Sequence, residues 1–128
     1  KRPLLERVVR EKGLRDQVTL LGNVPNEEVI DVLEEGNIFL NLSLTEAFGM
    51  AMLEAASVGL LVVSTSVGGV PEIFPAMTSS RDSVGMILCR PDVGSVLAAL
   101  GDALGFLPRT RRQVQRQHRL GGGAHNWE

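Results

Sequence analysis

Leu60-Leu61-Val62-Val63-Ser64 is a nearly unbroken apolar run with no in-out alternation, and Gly59 closes it off from the segment before. A strand of that kind is expected to be buried on both faces, which marks a parallel sheet covered by helices and not an antiparallel sheet with one wet side. The neighbouring segments agree. Helical spacing runs from Pro3 to Lys12, with Leu4, Leu5, Val8 and Val9 on one side and Gly13 as the stop. A short strand is expected over Val18 to Leu21, ended by Gly22. Asn26 is expected to cap a second helix that buries Val29, Ile30, Val32 and Leu33. A strand over Ile38 to Leu42, a helix over Phe48 to Val58, a short helix near Val70, a strand over Gly85 to Cys89 and a last helix over Val93 to Leu104 complete the pattern. Sustained alternation of helix and strand points to an α/β doubly wound domain, in which ligands gather at the carboxyl ends of the strands.

With 44% of its 128 residues hydrophobic and 22% charged, the chain fits one globular core. The single cysteine, Cys89, excludes an internal disulfide and leaves a CxxC or zinc site without ligands, so it reads as a small core hydrophobe. Through Pro108 there are 8 basic and 14 acidic residues, whereas the remainder carries five arginines against Glu128 alone. No Lys or Arg lies between Arg15 and Arg81, so the central segment offers no electrostatic footprint for a nucleic-acid backbone. The acids Glu27, Glu28, Asp31, Glu34 and Glu35 read as the solvated side of their helix.

From Gly105 the composition changes to Gly, Arg, Gln and His with almost no apolar periodicity. Residues 1–104 are therefore expected to form the domain and 105–128 a disordered tail. His118 and His125 have no carboxylate or cysteine nearby in sequence, and no metal role is assigned to them. No apolar run approaches the roughly 20 residues needed to span a bilayer. The chain starts at Lys1, enters a helix at once, and is expected to be a piece of a longer protein.

Two loops are candidates for chemistry. Leu42-Ser43-Leu44-Thr45-Glu46-Ala47-Phe48-Gly49-Met50 leaves a strand and enters a helix, whose first turn offers unpaired N–H groups suited to a phosphate. Glu46 sits in the loop and Glu54 about five residues into the helix, roughly 7–8 Å along its axis, a separation that fits two ends of one extended ligand. The plain alternative is a favourable helix-dipole partner followed by a solvated acid. Against that, the small and apolar neighbours of Glu54 imply a largely buried helix, in which an acid needs a partner. The second loop, Ser64 to Glu72, contains Gly68-Gly69 and Pro71; it makes either a turn or a ligand-admitting edge beside Glu46.

In this setting, Glu46 and Glu54 with seven residues between them resemble the E-x7-E motif of retaining glycosyltransferases of family 4. Val67-Gly68-Gly69-Val70-Pro71-Glu72 resembles the glycine turn that follows it in that family. The resemblance covers about residues 1–104 and implies the C-terminal, Rossmann-like half of a GT-B fold. Val18 to Gly22, Ile38 to Asn41, Ser43 to Phe48 and Val62 to Thr65 resemble in particular the branch that transfers N-acetylglucosamine to phosphatidylinositol.

That likeness implies UDP-N-acetylglucosamine as donor, phosphatidylinositol as acceptor through another domain, companion subunits in a membrane transferase complex, and the cytoplasmic face of the endoplasmic reticulum. It implies no cofactor and no metal. Glu46 would be catalytic beside the transferred sugar, and Glu54 would hold the ribose. The N–H groups of Phe48, Gly49 and Met50 would face the diphosphate and sugar, Gly22 and Asn23 the uracil, and Gly68 and Gly69 would shape the turn under the donor. In relatives an Arg and a Lys upstream of the matched region balance the departing diphosphate, so this segment alone is expected to be inactive. The alternatives are a transferase of the same fold with another acceptor, or a non-catalytic remnant.

Overall fold

The computed structural model describes residues 1–73 and 85–121, with side chains up to residue 107, Ile73 excepted. Three strands, β1 (Ile38–Asn41), β2 (Leu61–Thr65) and β3 (Met86–Cys89), form a wholly parallel sheet in the order β1-β2-β3. Ile38 lies opposite Leu61 and Asn41 opposite Ser64; on the other side Val62 lies opposite Met86 and Thr65 opposite Cys89. All five residues of β2 are buried, as its unalternating apolar run requires.

Alternate side chains of β2 enter different cores. Val62 joins Met52, Ala55, Leu60, Met86 and Val70, the first residue of the short helix α4 (Val70–Ile73), on one face, where α3 (Met50–Ser57) packs and Leu33 of α2 (Val29–Glu34) adds cover. Leu61 and Val63 join Cys89, Ala99 and Ala103 on the other, beneath α5 (Val93–Gly121). Helices on both faces of a parallel sheet make the doubly wound α/β arrangement. Cys89 is buried, as expected, and burial pushes its thiol up, with Asp92 nearby acting in the same direction.

Several elements differ from expectation. Val18 to Leu21 forms no strand. An extended segment becomes a strand only when a neighbour takes its backbone hydrogen bonds, and the described sheet ends at β1. Asn26 caps nothing: it lies inside a 3₁₀ turn, Asn26–Glu28, whose cap position is Pro25 and whose closing bond runs from the Glu28 N–H to the Pro25 carbonyl. Helix α1 (Arg2–Glu11) forms and stops before Gly13, but none of its residues is buried; Leu4 and Leu5 remain more than half exposed. In α2, Ile30 is exposed although it was expected inside.

Helix α5 continues to Gly121 across the expected end at Leu104, so no helix terminus marks the division at Gly105. Arg, Gln and Leu favour helix even without an apolar stripe. Its last described contact with the sheet core is Phe106. Residues 122–128, including two of the three consecutive glycines and His125, lie outside the described residues, as does the side chain of His118.

Asp92 closes the start of α5. Its Oδ1 accepts the Ser95 N–H at 2.9 Å and its Oδ2 the Ser95 hydroxyl at 2.8 Å. These bonds, the backbone one foremost, hold the carboxyl below its ordinary value, and the Arg90 guanidinium at 3.4 Å adds to the effect. An acid depressed by folding contributes stability above its unfolded pKa and loses it as pH falls through the folded one. Asp92→Ala is therefore expected to lower Tm by a few degrees at pH 7, and the deficit should shrink as pH drops below about 4. Thermal unfolding at pH 7 and pH 3 checks this; an equal deficit at both would leave the charge no part in the cap.

Candidate active site

Parallel strands send their following loops out at the same edge of the sheet, so the loops after β1 and β2 are forced to meet. They do. The Gly69 N–H donates to the backbone carbonyl of Glu46 at 3.1 Å. A Cβ on Gly68 would strike that same carbonyl oxygen, and one on Gly69 would strike the carbonyl oxygen of Ala47. Only glycine permits this backbone-on-backbone packing, and Gly68 has in addition a φ of 56°.

The Glu46 loop turns into α3 through Gly49, which is left-handed (φ 61°, ψ 38°) and occupies the cap position. The half-buried carboxylate of Glu46 folds back so that Oε1 accepts the Gly49 N–H at 3.1 Å. This is a favourable placement for an acid at the positive end of a helix dipole. Phe48 and Met50 are exposed, and their N–H groups make no hydrogen bond among the described residues. The helix start therefore presents two unspent donors flanking one that is spent on Glu46.

Glu54 lies on α3, exposed, and its carboxylate makes no hydrogen bond or ion pair among the described residues. The expectation that this helix is largely buried is overturned: of its residues only Met52 and Ala55 are buried, while Leu53 and Met50 are exposed. One helix face packs on the sheet and the opposite face is open, so Glu54 needs no internal partner. Gly22 and Asn23 are exposed, and the nearest described atom to a Cβ on Gly22 is Arg2 Nη1 at 2.6 Å. No hydrogen bond among the described residues joins them to the Glu46 loop.

Beneath the loop lies a polar cluster that sequence reading passed over. The Thr65 hydroxyl donates to the Ser43 carbonyl at 2.5 Å, and the Ser43 hydroxyl donates to Asn41 Oδ1 at 2.8 Å. Asn41 Nδ2 reaches Ser64 Oγ at 3.3 Å and Met52 Sδ at 3.5 Å. The available signal was the pair Ser64-Thr65 ending an otherwise apolar run, since a buried hydroxyl requires a partner. Among the described residues no three His, Cys, Asp or Glu side chains gather as a metal site would require. No helix among them is long and apolar enough to cross a membrane.

Residues 2–79 match the family model described as glycosyl transferases group 1. Over 104 residues, 81% of the chain, it is 49% identical to a phosphatidylinositol N-acetylglucosaminyltransferase subunit of Arabidopsis thaliana and equally so to its counterpart in Homo sapiens. The chain spans 22% and 20% of the length of those two relatives. Among solved structures, a sucrose-phosphate synthase from Thermosynechococcus elongatus superposes with a TM-score of 0.69 at 26% identity, covering 90% of this chain and 29% of that one.

Proposed function

Because the chain belongs to the group 1 glycosyl transferases, we propose that it is the donor-binding part of a retaining enzyme that transfers N-acetylglucosamine from UDP to phosphatidylinositol. That reaction opens the synthesis of glycosylphosphatidylinositol anchors. The observation that carries the reading is the meeting of the Glu46 loop and the Gly68-Gly69 turn at the carboxyl ends of β1 and β2. The 49% identity to the plant and human transferase subunits supports the donor and acceptor.

In this reading the unspent N–H groups of the exposed residues Phe48 and Met50 receive the diphosphate, an anion that no described basic side chain of the loop meets. Gly49 sits between them with its N–H on Glu46. Glu54, free and solvent-facing, accepts the ribose hydroxyls, and Glu46 stands beside the sugar as the catalytic carboxylate. Gly22 and Asn23 flank the uracil, and Gly68 and Gly69 keep the second loop low enough to leave room for the donor. The protein works with other subunits of a membrane complex at the cytoplasmic face of the endoplasmic reticulum.

The test is transfer of labelled N-acetylglucosamine from its UDP conjugate to phosphatidylinositol by the full-length gene product in its complex. Product formation is the expected result; transfer to another lipid only would remove the acceptor from the reading. The 128-residue chain by itself is expected to bind UDP weakly, with Kd near about 1 mM or above, and to transfer nothing. Submicromolar UDP affinity in calorimetry would contradict the division of labour between this domain and the rest of the enzyme.

A further inference from the structure

Loops that carry a reacting group are useful only if something fixes their position, and the Glu46 loop is fixed by side chains outside the E-x7-E motif. Its backbone is held at Ser43, where the carbonyl accepts the Thr65 hydroxyl, and at Glu46, where the carbonyl accepts the Gly69 N–H. Thr65 is the last residue of β2 and is buried (1% exposed), so it anchors the loop to the fully buried central strand of the described sheet. From Ser43 the hydrogen bonds run on to Asn41 at the end of β1, and from Asn41 to Ser64 and to Met52 inside α3. The Ser64 hydroxyl, fully buried, returns to the Thr65 carbonyl at 3.2 Å. Every buried side-chain nitrogen and oxygen among the described residues has a partner, so the cluster is a satisfied network and not an accident of packing.

We propose that Asn41, Ser43 and Thr65 are positioning residues that hold the Glu46 loop in register for sugar transfer, a role resting on the reading of Glu46 given above. The cluster links β1, β2 and α3, the three elements that bound the loop, and it joins the loop at Ser43, three residues before Glu46. Misplacing a reacting group by about 1 Å costs on the order of 10²-fold in rate, so a modest loosening here is visible in turnover.

Thr65→Val removes the hydroxyl at constant shape, and Thr65→Ser keeps it. In the full-length protein in its complex, Thr65→Val is expected to lower kcat by about tenfold with donor KM within about twofold, and Thr65→Ser to retain the kcat of the unaltered protein. If Thr65 acts through Glu46, its substitution in a Glu46→Gln background should cost less than about twofold further. Equal losses in both backgrounds would overturn the role. Should Thr65→Val fold poorly, Ser43→Ala severs the same chain from a half-buried position and is put through the same comparison. Amide exchange at Gly69 decides the tether separately from the functional reading. Thr65→Val should speed it by about tenfold, and unchanged exchange would sink the tether even in a protein that transfers nothing.

Discussion

Glu46→Gln in the full-length protein is expected to lower kcat by about 10²-fold or more, equivalent to roughly 2.7 kcal/mol, with little change in donor KM. In the proposed reading Glu46 stands beside a sugar on which positive charge grows as its bond to diphosphate breaks, so the carboxylate stabilises the transition state more than the ground state. The substitution is structurally mild: glutamine keeps a carbonyl oxygen that can accept the Gly49 N–H as Oε1 does now. Loss of activity can then be assigned to charge. Glu54→Gln should act differently, raising donor KM with kcat near that of the unaltered protein, because the ribose that Glu54 is proposed to hold does not change during the reaction. Steady-state kinetics over donor concentration separate the two. If both variants leave kcat and KM unchanged while lowering Tm, the pair is structural and the motif reading of this segment is wrong.

Gly68→Ala is expected to be the most damaging single methyl in the two loops. A left-handed φ alone costs a non-glycine residue about 1–2 kcal/mol. At Gly68 the new Cβ would also enter the carbonyl oxygen of Glu46, a backbone atom that cannot rotate away. The combined cost should be about 3 kcal/mol or more, unless the loops separate and relieve it by breaking the Gly69-to-Glu46 hydrogen bond. Separation of the loops would displace Glu46. Gly13→Ala is the control: its φ of 66° is similarly left-handed, but a Cβ there meets nothing within 4 Å. Chemical denaturation should show a deficit for Gly68→Ala at least about 1 kcal/mol larger than for Gly13→Ala. Equal deficits would mean that the loop contact gives way at no cost.

What could be read from sequence divides along a physical line. β2, the helix that Gly59 ends, and the two glycine-bearing loops were legible because each is fixed by local chemistry: an unalternating apolar run, a stop residue, a backbone that no side chain fits. The strand over Val18 to Leu21 was not, because pairing depends on a neighbour that local pattern does not show. Asn26 misled because Pro25 sets up the preceding extended backbone and starts a 3₁₀ turn that takes Asn26 in. The burial of α3 was overestimated because small residues such as Ala51 suit an open helix face as well as a packed one. In the candidate site, Glu46 and the glycines came from a motif, whereas the Asn41, Ser43 and Thr65 cluster joins residues on two strands. Only the register of β1 against β2 brings those residues together.

The bond between the Glu46 carboxylate and the Gly49 N–H gives this loop an anion of its own before any ligand arrives. An incoming diphosphate that uses the same donor must compete with a tethered rival at high effective concentration. A bare phosphate or chloride ion gains little by displacing the carboxylate, because the Phe48 and Met50 N–H groups beside it are already unspent among the described residues. In the proposed reading a nucleotide sugar brings further contacts, to Phe48 and Met50 and to Glu54, that a bare anion lacks in combination. If the turn takes the diphosphate as proposed, self-occupation of this kind lowers affinity for every anion, but least for the one that rewards the exchange.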